Sequence, residues 1–248
     1  MGSITRAAGG ALLSISIAVS STGPALSLTM AKQEFTCPIG GEKFTADVVG
    51  SHTQFGMRLD LRPIGAMLAP IPLPVCPGNG FVMFKRQFTP EEIKAIETIV
   101  ITEEYRQARR RHVDYYMVAF MRERLGATPI ELARLYQRAS WEAEGRYASE
   151  AKKPPEKPEL VTQYRTLALQ KFDVFLQQDQ SYSTEWWTAA VIAAELERLL
   201  GRFDAAKERI ARLPVGKLPA DSPVRKAIDQ IGAHVLKQNS DPERFVSR

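Results

Sequence analysis

Sulfur offers the most specific chemistry in this sequence. The chain holds two cysteines, and both stand in the same short phrase: Cys37-Pro38-Ile39-Gly40-Gly41 and Cys76-Pro77-Gly78-Asn79-Gly80. Two such thiols can pair as a disulfide, stay buried and free, or bind a soft metal, but a four-ligand structural zinc site needs two further donors. Of the three histidines, His52, His112 and His234, none is at ligand spacing from either phrase. His52 lies between them, so Cys37, Cys76 and His52 are kept as an alternative metal set, although no resident metal or cofactor is expected. The preferred reading is a Cys37 to Cys76 disulfide, because residues of two facing turns of this kind sit about as close as a disulfide requires. Closing a loop of about 40 residues stabilises the fold by roughly 4 kcal/mol in the chain-entropy picture.

Other reaction centres leave little trace. There is no Gly-x-Ser-x-Gly nucleophile elbow and no phosphate-cradling loop, since Gly216-Lys217-Leu218 lacks both the preceding glycine and the following hydroxyl. A His-Glu-x-x-His zinc helix is also missing. Cys37 beside Pro38 is a poor thiolate nucleophile, having no neighbouring base to lower its pKa. The densest basic run, Arg106, Arg109, Arg110, Arg111 and His112, follows Glu103 and Glu104 by about one turn and reads as a solvated helix face. Asp60, between Arg58 and Arg62, reads as a buried ionic partner rather than a catalyst. An enzyme is therefore not expected. A hydrolase would need a pocket combining Asp60, His52 and an arginine.

The elements that must position these residues follow from composition and pattern. With 248 residues, 44% of them hydrophobic, the chain can bury a sizeable core in one domain or two. A net charge of +5 is too small to name a nucleic-acid partner. Residues 1–27 resemble a secretory signal, with Arg6, an apolar run from Ala7 to Ser20 and Ala25-Leu26-Ser27 as a cleavage pattern. The alternative is an extension ahead of a true start at Met30. The run is too short to span a membrane. The first reading places the protein in the periplasm or outside the cell, where thiols oxidise; the second places it in the cytoplasm.

Residues 28–88 form the expected β module. Phe44 to Val49 has strand composition, Gly50 to Gly56 breaks it, Pro70-Ile71-Pro72-Leu73-Pro74 forces an extended arm, and Phe81 to Phe84 reads as a second strand. From Thr89 the pattern is helical. Thr89-Pro90-Glu91-Glu92 and Thr128-Pro129-Ile130-Glu131 are capping boxes with proline at the first helical position, and Ser222-Pro223 is a shorter form. Helices are expected over roughly 90–100, 103–125, 129–145, 158–179, 184–200, 204–213 and 223–238, with Gly126 and Gly201 as left-handed stops. The lysine- and proline-rich residues 150–158 form a loop, and 239–248 a tail.

Within the helical domain, 89–238, the segment Glu197-Arg198-Leu199-Leu200-Gly201-Arg202-Phe203-Asp204-Ala205-Ala206 resembles the turn of a tetratricopeptide repeat. Such hairpins stack into a concave surface that binds peptides. Trp186, Trp187 and Phe203 are the candidate partner-binding residues. Adjacent helical positions diverge by about 100 degrees, so one tryptophan is expected to pack inward and the other to lie at an edge.

The two Cys-Pro phrases look like the knuckles of a zinc ribbon that has lost its second thiolate from each, at Gly40 and at Asn79. Together with Leu59-Asp60-Leu61-Arg62-Pro63, Ala139-Ser140-Trp141-Glu142-Ala143-Glu144 and the segment from Glu195 to Ala206, they resemble a bacterial family, domain of unknown function 2225. That resemblance spans about Phe35 to Leu213. It implies a knuckle pair plus a helical half, but no established activity. The missing thiolates mean that the family's zinc is not carried over. The expected fold is mainly α with a small β module: a zinc-ribbon-like knuckle segment followed by tetratricopeptide-like antiparallel helical hairpins. The expected role is a non-enzymatic binding or scaffolding protein of the bacterial envelope, with a peptide or protein partner.

Overall fold

The computed structural model describes Gly2, residues 27–146 and residues 155–247. Apart from Gly2 and Ser27, the signal-like stretch lies outside the described residues, as do residues 150–154 of the lysine- and proline-rich loop. The described chain is mainly helical, with a small β module of two two-stranded sheets at its start.

β1 (Thr29–Thr36) and β2 (Lys43–Ser51) form an antiparallel hairpin whose turn is the first Cys-Pro phrase. The strand expected at 44–49 is thus the middle of β2. β1 itself has no strong strand signal, because Lys32, Gln33 and Glu34 interrupt its apolar residues, and its order comes from pairing. In place of a break over 50–56, the chain makes one turn at His52 and begins β3 (Thr53–Met57), which pairs with β4 (Pro63–Ala66). Gly56 sits at a register shift in that ladder, where the missing side chain is tolerated.

The second Cys-Pro phrase closes a reduced copy of the first turn. Its flanks meet in a single bridge, Val75 to Val82, rather than in the strand expected over 81–84. Pro70, Pro72 and Pro74 have no amide to donate to a ladder, so alternate positions of the arm can only accept, and the Pro74 carbonyl accepts from Met83 N at 2.9 Å.

Among the described residues eight α-helices follow: α1 (Pro90–Val100), α2 (Glu103–Arg111), α3 (Asp114–Arg124), α4 (Pro129–Glu144), α5 (Pro158–Gln178), α6 (Thr184–Leu199), α7 (Phe203–Arg212) and α8 (Pro223–Leu236). Both capping boxes form, with Thr89 and Glu92 bonded reciprocally at α1 and Thr128 and Glu131 at α4. Ser222 makes no side-chain cap. Gly201, at φ +71°, ends α6 in a Schellman pair, with Gly201 N donating to Arg198 O and Arg202 N to Glu197 O. Gly126 ends α3 in the same way.

The single helix expected over 103–125 is two helices, because His112 and Val113 are extended. Val113 provides no side-chain cap for α3. The Glu142 carboxylate from α4 accepts from Asp114 N at 3.3 Å and Tyr115 N at 3.0 Å instead.

Consecutive helices from α3 to α8 pack on each other, and α8 also returns to α6. The two knuckles are part of the helical core rather than an appendage: Cys37, Ile39, Cys76, Phe81 and Val82 pack with Ile96, Val100, Tyr105, Met117, Val118 and Met121. The C-terminal segment, expected as a tail, is also built in. Leu59 N donates to Glu243 O, Phe245 N to Met57 O, and the Arg198 guanidinium to the carbonyls of Asn239 and Asp241.

Candidate binding groove and the ion cluster beneath it

The two knuckles repeat one hydrogen-bond pattern. Cys37 N donates to Glu42 O and Gly41 N to Cys37 O; Cys76 N donates to Phe81 O and Gly80 N to Cys76 O. This twofold repeat brings the cysteines to a Cα separation of 5.6 Å, where they form the disulfide. Both are about 1% exposed. Asn79 fastens the two turns together. Its Nδ2 donates to Ile39 O at 3.0 Å, and its Oδ1 accepts from Phe81 N at 2.9 Å. Glu42 Oε2 accepts from Gly78 N at 2.9 Å, a second strap across the pair. Tyr105 Oη, from α2, donates to Gly80 O at 3.0 Å. Both sulfurs are consumed by the disulfide, and His52 is exposed at the β2 to β3 turn. The Cys37, Cys76 and His52 set is therefore not assembled as a ligand group, and no cluster of metal-ligating side chains occurs among the described residues.

A second clamp, of opposite character, lies where β3, β4, α4 and α5 meet. Leu61 has φ +64° in a tight turn closed by Arg58 N to Arg62 O and Leu61 N to Arg58 O. That turn folds Asp60 back between its two arginines. Arg58 donates to Asp60 Oδ1 at 3.0 Å and Oδ2 at 2.8 Å, and to Glu144 Oε2 at 2.6 Å. Arg62 donates to Glu144 Oε2 at 2.7 Å, and Arg165 to Glu144 Oε1 at 2.5 Å. Trp141 Nε1 donates to Asp60 Oδ2 at 2.8 Å, and Gln137 Nε2 to Asp60 O at 2.7 Å. Asp60 and Arg62 are 2% and 4% exposed.

Three guanidiniums thus surround two carboxylates in a nearly dry site. Burial by itself raises the Glu144 carboxyl, but Arg58, Arg165 and Arg62 outweigh it and hold the group at about 2. Burial, with Arg58 close by, lowers the Arg62 guanidinium despite the pull of Glu144. Next to the cluster, Arg198 forks onto Glu195 at 2.7 and 2.8 Å, and burial pushes Glu195 up to about 7 against that pull.

Above the cluster lies an open groove of about 550 Å³ between residues 67–71 and the faces of α4 and α6. Leu61, Met67, Leu68, Trp141 and Ile192 give it an apolar lining. Its ionisable lining residues are Tyr115, Arg134 and Arg138. Arg134 pairs with Glu185 at 2.9 Å across the half-exposed rim, and Arg138 is exposed. Trp141 and Gln137 belong both to the groove and to the hydrogen bonds that hold Asp60, so the rigid cluster fixes the shape of the floor. Chemically, the groove can take an apolar segment and orient an anionic group by its arginines.

The structure places the other predicted residues as follows. Trp186 and Trp187 are both buried, at 8% and 6% exposure, and pack edge to face at 5.1 Å with Tyr182 against them. The edge position expected for one of them is therefore corrected, because Tyr182, at φ +53° ahead of α6, folds over the pair. Phe203 is half-buried in the same cluster. Three arginines of the basic run on α2 are ion-paired: Glu103 meets Arg106 and Arg110, and Arg109 meets Asp114. Asp60 does meet arginines but not His52, which is exposed while Asp60 is buried. Sequence reasoning missed Glu144, Arg165 and the groove. Leu59 to Pro63 and Ala139 to Glu144 lie far apart in sequence, and neither carries a local signal that marks the other as its partner.

Fold and site together define a helical protein with a disulfide-clamped β module and an open apolar groove. No family model, curated protein or solved structure matches the chain.

Proposed function

We propose that this protein is a non-enzymatic binding module of the bacterial envelope that takes an extended acidic peptide segment in the groove between residues 67–71 and helices α4 and α6. One observation carries this reading: an apolar floor, rimmed by Arg134 and Arg138, is fixed from below by ionic groups that are already paired with each other. A preformed apolar cleft with a few oriented cations binds without having to reorganise. The envelope assignment rests on the buried disulfide, since oxidising compartments form and keep such bonds. The α6 to α8 region supports the tetratricopeptide-like part of the reading: α6, α7 and α8 pack mutually around Ala206 and Phe203 after the Gly201 stop.

The knuckle pair supports descent from a four-thiolate ribbon of the kind found in domain of unknown function 2225. Its two turns share one hydrogen-bond pattern, although Gly40, at φ +85°, holds a backbone shape that a cysteine rarely adopts. In this reading the first knuckle has left ligand geometry behind, and the disulfide has taken over the clamp.

The test is selection from a displayed library of extended peptides, followed by fluorescence anisotropy with the selected sequences. Acidic peptides with aliphatic anchors should bind with micromolar affinity; Arg138→Glu, at an exposed position, should weaken binding at least tenfold with the melting temperature unchanged, and Leu68→Ser, at a half-buried lining position, should weaken it too. Failure to select any peptide, or binding indifferent to both substitutions, overturns the proposal.

A further inference from the structure

β1 is an unusual strand for a folded protein. It is eight residues long, every residue except Phe35 is exposed, and its sheet contains β2 and no other strand. Among the described residues nothing pairs with its outer edge. A two-stranded ribbon is marginal on its own, and an open edge is a template for another chain.

The ribbon is also two-faced. The register places Ala31 opposite Val48, Gln33 opposite Ala46 and Phe35 opposite Phe44, which makes one face largely apolar. The other face carries Met30 with Val49, Lys32 with Asp47, Glu34 with Thr45 and Thr36 with Lys43. Phe35 and Phe44 pack on the knuckle core, while Ala31 and Met30, at the far end, remain exposed.

We infer that the outer edge of β1 pairs antiparallel with β1 of a second copy of this chain, about a twofold axis at Gln33, to make a continuous four-stranded sheet. The sequence selects this register from its neighbours. Opposite residues on antiparallel strands point to the same side, so an axis between two residues would join the apolar face of one ribbon to the charged face of the other. An axis at Lys32 sets lysine against lysine, and an axis at Glu34 sets glutamate against glutamate. An axis at Gln33 places Lys32 opposite the partner's Glu34, and does so twice by symmetry. It also places Ala31 opposite the partner's Phe35, so the exposed end of one apolar face lies beside the end that is anchored on the knuckle core. Lys32 already contacts Asp47 at 3.0 Å, but with 76% of its side chain exposed it can reach both carboxylates.

Pairing through one ribbon buries less than a standard interface of about 1,600 Å², so the dimer is of micromolar strength. Sedimentation velocity on the oxidised full chain at about 100 micromolar should show a monomer–dimer equilibrium, in the range expected for small interfaces. Lys32→Glu and Glu34→Lys each replace two attractive pairs with two repulsive ones, and each should weaken self-association roughly tenfold or more. Mixed together, the two variants become complementary at every charged position, and the dimer should return as a heterodimer. Because Cys37 N bonds Glu42 O, alternation along the ladder turns the amides of Ala31, Gln33 and Phe35 toward β2 and those of Met30, Lys32 and Glu34 outward. Met30→Pro, which removes an outward amide without changing charge, should weaken the dimer as well. A wild-type chain that sediments only as a monomer, a dimer unchanged by both charge reversals, or a mixture that fails to re-form one would each overturn the inference.

Discussion

Two clamps hold this molecule, and they work by different physics. At one end Cys37 and Cys76 are joined covalently under two matched turns. Where the β3 to β4 turn meets α4 and α5, Asp60 and Glu144 are held by Arg58, Arg62 and Arg165. The disulfide acts mainly on the unfolded chain by closing a loop, so its effect is nearly independent of pH. The ion cluster acts on the folded state alone. It stabilises only while complete, because removing one member leaves buried charge without a partner. The knuckle clamp was assembled from a repeated motif, whereas the ionic clamp draws on positions from 58 to 165.

The sharpest way to break the comparison is Glu144→Gln. With Arg62 and Arg165 left without a carboxylate partner and Arg58 with Asp60 alone, stability at neutral pH should fall by about 3 to 5 kcal/mol in urea titrations. The pH profile separates this from a simple packing defect. Because the folded Glu144 carboxyl is held at about 2, below its ordinary 4.5, its contribution is present above 4.5 and is lost as pH falls toward 2. That limb amounts to about 3 kcal/mol and should be missing from the variant.

Next in size is the covalent clamp. Cys37→Ser with Cys76→Ser should cost about 2 to 4 kcal/mol at every pH between 5 and 8, since a loop of 39 residues is released. A pH-dependent loss of the same size would show that the two clamps are coupled after all.

Asn79→Ala sharpens the account of the knuckles. It removes a donor to Ile39 O and an acceptor from Phe81 N, and should lower stability by about 1 to 2 kcal/mol with the disulfide intact. In the reduced protein the loss should be larger, because the amide would then be the principal link between the turns. The smallest effect belongs to neither clamp: Thr128→Ala deletes one capping box and should cost about 1 kcal/mol in thermal melts, the same whether the disulfide is formed or reduced.

The positions that were readable in the sequence are those whose signals are local. Thr89, Thr128, Gly126 and Gly201 mark helix ends because their side chains, or the lack of one, act within a few residues of backbone. The Cys37 to Cys76 pairing could be anticipated from a motif that occurs twice. Asp60 showed its arginine neighbours because they are two residues away on either side. The break between α2 and α3 was not legible, since the carboxylate that caps α3 belongs to Glu142, 28 residues downstream of Asp114. Burial of both tryptophans was not legible either, because it depends on where Tyr182 folds.

The sequence alone, then, determined a helical protein with a small clamped β module, through capping, periodicity and a repeated turn, all of which are short-range. Only the tertiary structure decided that Asp60, Trp141, Glu144 and Arg165 share one site and that a groove opens above them. Pairing charges from distant elements in a dry interior depends on how helices pack, and packing is a property of the whole chain.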